Sequence, residues 1–236
     1  MVARILYRDA LMLVLDKPAG YAVHKGPKGG ASLEDHFDAL RFGLPRPPAL
    51  AHRLDRDTSG CLVLGRHRKA LAELGRLFKA GRVSKTYWAV VEAGPAEDTG
   101  RIDLPLGRKD ASRGWWMKHD PQGQPATTTW KVLGRSAAGP DRLGIDQLTW
   151  LALEPLTGRT HQLRVHCAAM GWPIVGDSVY GSAPRNSGPA LQLHAREIVV
   201  PLYKNRAPIR VVAPVPEQMQ QQLRACGWPG EVCSVQ

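Results

Sequence analysis

Short hydrophobic segments typical of β-strands recur along most of this chain, whereas segments with the apolar spacing of a helix are few. Strands are predicted at 5–7, 11–15, 60–65, 85–91, 127–133, 145–153, 191–200 and 209–212. Helices are predicted directly after Ser32, at 69–80 and at 160–170. This order has no regular strand–helix alternation, so it favours an α+β fold: a mixed, largely antiparallel sheet with a few flanking helices.

The 236 residues are enough for one large domain, and no internal repeat or clear linker divides them. We predict one domain over 1–213 followed by a C-terminal tail, 214–236. The segment 94–123, rich in proline, glycine and charge, is predicted to be a basic insertion or mobile loop. Its arginines and lysines lie among tryptophans such as Trp115 and Trp116, a mixture that suits RNA contact or ordinary packing of the rings equally well.

The chain carries 32 Lys and Arg against 21 acidic residues, a net charge of +11. Such a balance favours a polyanionic partner such as nucleic acid, although charge spread over the surface for solubility is the alternative. The 43% hydrophobic content argues against a disordered or fibrous protein.

Four cysteines occur without a CxxC pair, which argues against a zinc ribbon or a disulfide framework and favours a reducing compartment. No signal peptide or membrane-spanning stretch is recognisable, so a cytoplasmic location without membrane contact is predicted.

The densest group of reactive side chains is the segment His-Arg-Leu-Asp-Arg-Asp-Thr-Ser-Gly at 52–60. Asp55 stands between Arg53 and Arg56, and nearby positive charge favours an ionised carboxylate that can act as nucleophile or base. A surface turn with local salt bridges is the alternative explanation of the same residues.

Other chemistries lack their signatures. His161 and His166 are five residues apart with no glutamate placed as in a zinc protease helix, so no metal is predicted. The chain has no GxSxG, which argues against a serine hydrolase. It also has no GxGxxG and no phosphate-binding loop, which is consistent with a reaction that needs no cofactor.

The segment at 52–60 resembles the HRLDxxTSG signature of the RluA-type pseudouridine synthases, which modify ribosomal and transfer RNA. Further elements of that family occur in family order before and after this segment: KPAG at 17–20 with His24, KTYWAVV at 85–91, GRTHQLRVH at 158–166, GDSVYG at 176–181 and LHA at 193–195. One short motif is weak support, but six in order are specific.

The resemblance implies roles for individual residues. Asp55 would be the catalytic aspartate, attacking either C1′ of the ribose or C6 of the uracil. Tyr87 would pack near the base, and Arg164 would pair with Asp55. Leu163 would line the uracil pocket, and Arg53 would fill the gap left by the flipped nucleotide. His52 and Thr58 complete the predicted substrate-binding residues.

The resemblance also implies the pseudouridine synthase catalytic fold and an RNA substrate, a stem-loop of rRNA, tRNA or both. The family pattern starts within the first residues, so a compact monomeric member without the S4 RNA-binding domain is predicted. Trp88 should face away from Tyr87, because neighbouring strand residues point to opposite faces. The competing function is an RNA-binding or RNA-remodelling protein without catalysis. A hydrolase of small nucleosides leaves the net charge unexplained.

Overall fold

The computed structural model describes residues 1–26, 29–109, 116–137, 139, 144–185 and 187–231. The strands are β1 (Ile5–Arg8), β2 (Met12–Lys17), β3 (Ala49–Leu50), β4 (Ser59–Gly65), β5 (Ser84–Glu92), β6 (Thr99–Asp103), β7 (Leu106–Arg108), β8 (Met117–His119), β9 (Thr127–Arg135), β10 (Leu148–Pro155), β11 (Leu193–Val200) and β12 (Ile209–Val212). The α-helices are α1 (Arg68–Lys79), α2 (Gln162–Ala169) and α3 (Glu217–Ala225), with 3-10 helices at Val2–Arg4 and Leu33–Leu40.

The chain forms two compact units, each built from two stretches of sequence. The first unit contains Met1–Lys85 and Ala195–Pro214. Its strands β1, β2 and β4 pair in antiparallel order, β3 also pairs with β4, and β12 pairs with β11. Its core combines both stretches, because Met12 and Val63 pack in one cluster with Ile198 and Val211.

The second unit contains Thr86–His194 and Val215–Gln236. Its main strands follow the order β5-β10-β9-β6, and β7 pairs with β8 in a separate two-stranded sheet. Consecutive residues of β5 belong to different hydrophobic clusters. Ala89 packs with Leu151 and Leu163, while Val90 packs with Trp150. Both faces of this strand are therefore covered.

The predicted fold class is confirmed. The strand pairs β1–β2, β5–β10, β9–β10 and β6–β9 are all antiparallel. The described residues contain three α-helices, few relative to the number of strands. The helix expected after Ser32 is a 3-10 helix, whose backbone amide at Ser32 donates to the Asp35 carboxylate and whose Leu33, Phe37 and Leu40 are buried. No helix in the described ranges has the length and apolar character needed to cross a bilayer.

The segment 94–123 differs from the predicted insertion or loop. It contains β6, which pairs with β9, and the hairpin β7–β8. These strands are short and rich in glycine and charge, so they depend on their pairing rather than on an apolar pattern. Trp116 is buried, with Lys109 and Arg185 each 5.2 Å from its ring centre, so packing is the correct alternative for this tryptophan. Trp115 lies outside the described residues.

The C-terminal stretch also differs from the tail predicted at 214–236. Val215, Met219, Leu223 and Trp228 are buried in one cluster with Trp150 of β10. The polar composition of α3 hid this, since its apolar residues are few and recur only on one face. The described part of this stretch, to residue 231, belongs to the second unit.

Candidate active site

The segment 52–60 lies in the first unit, between β3 and the fully buried strand β4. A turn follows Asp55, whose carbonyl accepts the Thr58 amide at 3.2 Å. At Gly60 φ is +105°, and a Cβ there would collide with the Ala195 carbonyl. Only glycine fits this close approach, which explains the residue that ends the motif.

Lys17 fastens the same loop from inside the unit. Its side chain is 1% exposed, and Nζ donates to the carbonyls of Pro18, Tyr21 and Arg56, each at 2.8 Å. All three ammonium protons are thus used, one of them on the residue after Asp55. Desolvation lowers the pKa of Lys17 to about 8, although the negative charges of Asp57 and Asp55 oppose this.

His52 is committed to the framework of the loop. Its Nε2 accepts the Val63 amide at 3.0 Å, which places the ring proton on Nδ1, and the imidazole stacks on Phe78 with centroids 4.7 Å apart. Desolvation, helped by the charge of Lys85, lowers the pKa of His52 to about 3, so the ring is neutral. The imidazole of His52 holds the start of the motif in place; substrate contact by His52 stays a prediction.

The remaining predicted residues of this loop differ in exposure. Asp55 is half-buried and Arg53 is exposed. Thr58 is buried, and its hydroxyl has no hydrogen-bond partner among the described residues. A buried hydroxyl without a hydrogen-bond partner is costly to the fold. Arg56 pairs instead with Asp57, at 3.0 Å on the surface.

Tyr87 and Trp88 are neighbours on β5 in the second unit. Tyr87 packs against the cluster that contains Leu163, whereas Trp88 lies edge-on to Trp150 and Trp228 in the other cluster. Trp88 therefore faces away from Tyr87, as predicted. The structure brings Tyr87 and Leu163 together on one side of the sheet.

Helix α2 carries Leu163 and Arg164, and its flanking polar residues fix it to β9. Gln162 donates to the Thr127 carbonyl and the Thr128 hydroxyl, at 2.9 and 3.0 Å. His166 is buried, with Nε2 bound to the Leu104 carbonyl and Nδ1 to the Thr128 hydroxyl. Desolvation lowers the pKa of His166. Both ring nitrogens are occupied, so His166 has none left for a metal.

Arg164 forms a buried ion pair. Its Nε and one terminal nitrogen donate to the Asp177 carboxylate at 2.8 and 2.7 Å, and the two side chains are 6% and 1% exposed. Asp177 also accepts the amides of Val179 and Tyr180. Burial raises the pKa of Asp177, but Arg164 and these amides outweigh it and the net pKa is lowered. Gly176 has φ +79° and no room for a Cβ beside the Ala190 carbonyl.

The predicted site residues thus fall into two sets: His52, Arg53, Asp55 and Thr58 lie on one loop of the first unit, and Tyr87, Leu163 and Arg164 lie in the second unit. Sequence reasoning assigned no roles to Lys17, Asp177 or Tyr180, although each stands in a motif of the family pattern. For Lys17 and Asp177 the available signal was a charged residue directly beside a proline or a glycine, where a side chain can fold back on its own backbone.

A sequence profile of the family described as RNA pseudouridylate synthase matches residues 11–169. The chain belongs to this family. An uncharacterized RNA pseudouridine synthase of Zymomonas mobilis is 40% identical over 219 residues, which cover 92% of this chain and 95% of the relative. The dual-specificity RNA pseudouridine synthase RluA of Salmonella typhi is 36% identical, covering 89% and 92%.

Solved structures agree with the membership in the RNA pseudouridylate synthase family. The human RNA pseudouridylate synthase domain containing 1 superposes with a TM-score of 0.73 at 31% identity, covering 90% of this chain and 83% of its own. The predicted RluA-type family is confirmed, and with it the enzyme class: an isomerase that acts on RNA.

Proposed function

We propose that this RNA pseudouridine synthase isomerises specific uridines in structured rRNA, tRNA or both, with Asp55 as the catalytic carboxylate. The observation that carries the assignment is the way in which the 52–60 loop is held. The buried ammonium group of Lys17 binds the carbonyl of Arg56, the residue directly after Asp55. The backbone that carries the Asp55 carboxylate is therefore held by a hydrogen bond from the interior of the unit. Orientation of this kind is a large part of catalytic power.

Asp55 attacks C1′ or C6 to begin the reaction, and the bond that it forms is broken again before the product leaves. The bond between N1 and C1′ breaks, the uracil turns and C5 joins C1′; the C5 hydrogen leaves as a proton and N1 takes up a proton. Tyr87 and Leu163, which share one hydrophobic cluster, line the uracil site, and Arg164 pairs with Asp55. No electrons are gained or lost, so no redox cofactor is required.

Substrate binding is assigned to the rest of the predicted set. The exposed Arg53 fills the gap left by the flipped nucleotide. The buried hydroxyl of Thr58, which has no partner among the described residues, forms a hydrogen bond to a polar group of that nucleotide. His52 acts through the loop that it holds.

The RNA backbone is bound by exposed cations, among them those of the hairpin β7–β8: Arg108, Lys109 and Lys118. A monomer in the cytoplasm is proposed. The described cysteines Cys61, Cys167 and Cys226 are unpaired and buried, in keeping with a reducing compartment.

The test is tritium release from RNA labelled at uracil C5, comparing the wild type with Asp55→Asn and Asp57→Asn. The neighbour Asp57 is the matched control, because it is a carboxylate on the same loop that pairs on the surface with Arg56. Release should fall below detection in Asp55→Asn, at least a thousandfold, and stay within roughly threefold of wild type in Asp57→Asn.

Two results would contradict the proposal. Activity retained by Asp55→Asn would move the chemistry to another residue. If wild type bound ribosomal or transfer RNA but released no tritium, the non-catalytic RNA-binding function would replace it.

A further inference from the structure

The hydroxyl of Tyr180 joins two parts of the second unit that are far apart in sequence. Its oxygen accepts the backbone amide of Met117, the first residue of β8, at 3.0 Å. The same oxygen lies 2.8 Å from Nδ1 of His161, the residue that precedes α2. One hydroxyl therefore connects the hairpin β7–β8 with the start of the helix that carries Arg164.

The Met117 amide can only donate, so the Tyr180 oxygen accepts it. That hydroxyl has two lone pairs and one proton, so it can hydrogen-bond Nδ1 of His161 in either tautomer of the imidazole. The backbone of His161 is left-handed, with φ +53°, an uncommon conformation for a residue other than glycine. The bond to Tyr180 helps to hold it there.

The ring of Tyr180 lies against Arg164, a candidate site residue on α2. The guanidinium carbon of Arg164 lies 5.2 Å from the ring centre, and Asp177, which binds Arg164, also accepts the Tyr180 amide. A cation beside an aromatic face is attracted to it. Tyr180 is thus in contact with Arg164 through its ring and with β8 through its hydroxyl.

The hairpin at the other end of the link is basic. Arg108 and Lys109 at the end of β7 and Lys118 and His119 on β8 are exposed. The inner side of the hairpin is apolar, with Leu106 buried and Met117 and Tyr180 packed against it. Phosphates bound to the outer side would be held by an element that Tyr180 ties directly to the Arg164 helix.

We infer that Tyr180 is a positioning residue for the isomerisation, which couples RNA bound on the β7–β8 hairpin to Arg164. This rests on the proposed function, in which Arg164 holds Asp55. Tyr180 positions the RNA and does not bind it. The cations of the hairpin bind RNA with or without the Tyr180 hydroxyl, but the position of the bound RNA relative to Arg164 depends on the hydrogen bonds of that hydroxyl.

The test compares Tyr180→Phe with Tyr203→Phe in single-turnover tritium release, RNA affinity and thermal unfolding. Tyr203 is the control, because the same change of residue there removes a side-chain hydrogen bond, donated to Asp9 at 2.8 Å, in the first unit and away from the hairpin. We expect the turnover rate of Tyr180→Phe to fall roughly tenfold while its RNA affinity stays within about twofold. Tyr203→Phe should keep the wild-type rate even if its unfolding temperature drops.

Hydrogen exchange at the Met117 amide gives a readout that does not depend on activity. In Tyr180→Phe this amide loses its acceptor and should exchange faster, whereas Tyr203→Phe should leave it unchanged. Asparagine tolerates a left-handed backbone, so His161→Asn should keep the local conformation. Like Tyr180→Phe, it should lower the turnover rate.

Several outcomes would overturn the inference. The inference is overturned if Tyr180→Phe turns over at the wild-type rate, if exchange at the Met117 amide is unchanged, or if the whole loss is weaker RNA binding. The proposed function is still supported in each case if the wild type is active and Asp55→Asn is inactive. A wild type without turnover would remove both.

Discussion

Individual buried polar groups hold the loops that carry the candidate chemistry. Lys17 directs three protons at backbone carbonyls near Asp55, and Asp177 receives Arg164 together with two amides of its own turn. Removing either partner of such a buried pair costs about 3–5 kcal/mol, because the other is left unpaired. These residues are framework, and they determine where the reactive groups stand.

His52 makes the stability of the protein depend on pH. Its folded pKa, lowered by desolvation to about 3, is below the ordinary value of 6.5, so between these two values the unfolded chain binds a proton that the folded chain does not. The free energy of unfolding should therefore fall as pH falls from about 6.5 towards 3, by at most about 1.4 kcal/mol per pH unit from this residue.

The measurement is urea unfolding at pH 7, 6 and 5 for wild type and His52→Gln. Glutamine keeps an acceptor for the Val63 amide but does not titrate, so its loss of stability between pH 7 and 5 should be the smaller. His67→Gln is the control, since His67 is an exposed helix cap. Equal pH slopes for wild type and His52→Gln would show that His52 is not protonated in this range on unfolding.

At the level of residues the sequence was informative about identity and poor about partners. Asp55, Tyr87 and Arg164 were chosen from motifs, and the opposite orientation of Trp88 was predicted from strand alternation. The ion pair between Arg164 and Asp177 was not predicted. The two residues are 13 positions apart, so their contact depends on how α2 packs against a later turn and not on sequence spacing.

Among the elements, α3 has a larger role than its composition suggested. Leu223 is fully buried and shares a cluster with Trp150 of β10. Leu223→Ala should lower the free energy of unfolding by about 2–5 kcal/mol through the lost contacts and the cavity. Urea denaturation measures this, with Gln221→Ala, an exposed neighbour on the same helix, as the control.

An unchanged stability in Leu223→Ala would mean that the packing of α3 against Trp150 contributes little to the stability of the fold. The strands with strong alternation, such as β9 and β10, were predicted to within a few residues. β6, β7 and β8 were missed because each is five residues or shorter and is defined by its partner strand.

Over the whole molecule, the net charge of +11 favours the binding of phosphates, and the number of phosphates neutralised determines how RNA binding responds to salt. Neutralised phosphates release counterions, so the dissociation constant should rise steeply between 50 and 200 mM KCl. Removing two hairpin cations with Arg108→Ala and Lys118→Ala should reduce the slope of log Kd against log salt concentration by roughly one to two.

Filter binding or fluorescence anisotropy over a series of KCl concentrations gives the slope. The control is Lys204→Ala with Arg210→Ala, an equal change of charge on exposed residues of the first unit. An equal reduction in slope for both double variants would mean that the attraction is spread over the surface and that the β7–β8 hairpin has no special part in it.

The chain order of the two units has a consequence for how the protein is made. The first unit begins at residue 1, but its core strands β11 and β12 follow only after the whole stretch Thr86–His194. At ordinary translation rates of about 5–20 residues per second, Met1–Lys85 waits on the order of ten seconds on the ribosome for its missing strands. During that time β4 lacks part of its hydrophobic cover. A chain truncated after Lys85 should therefore not fold alone.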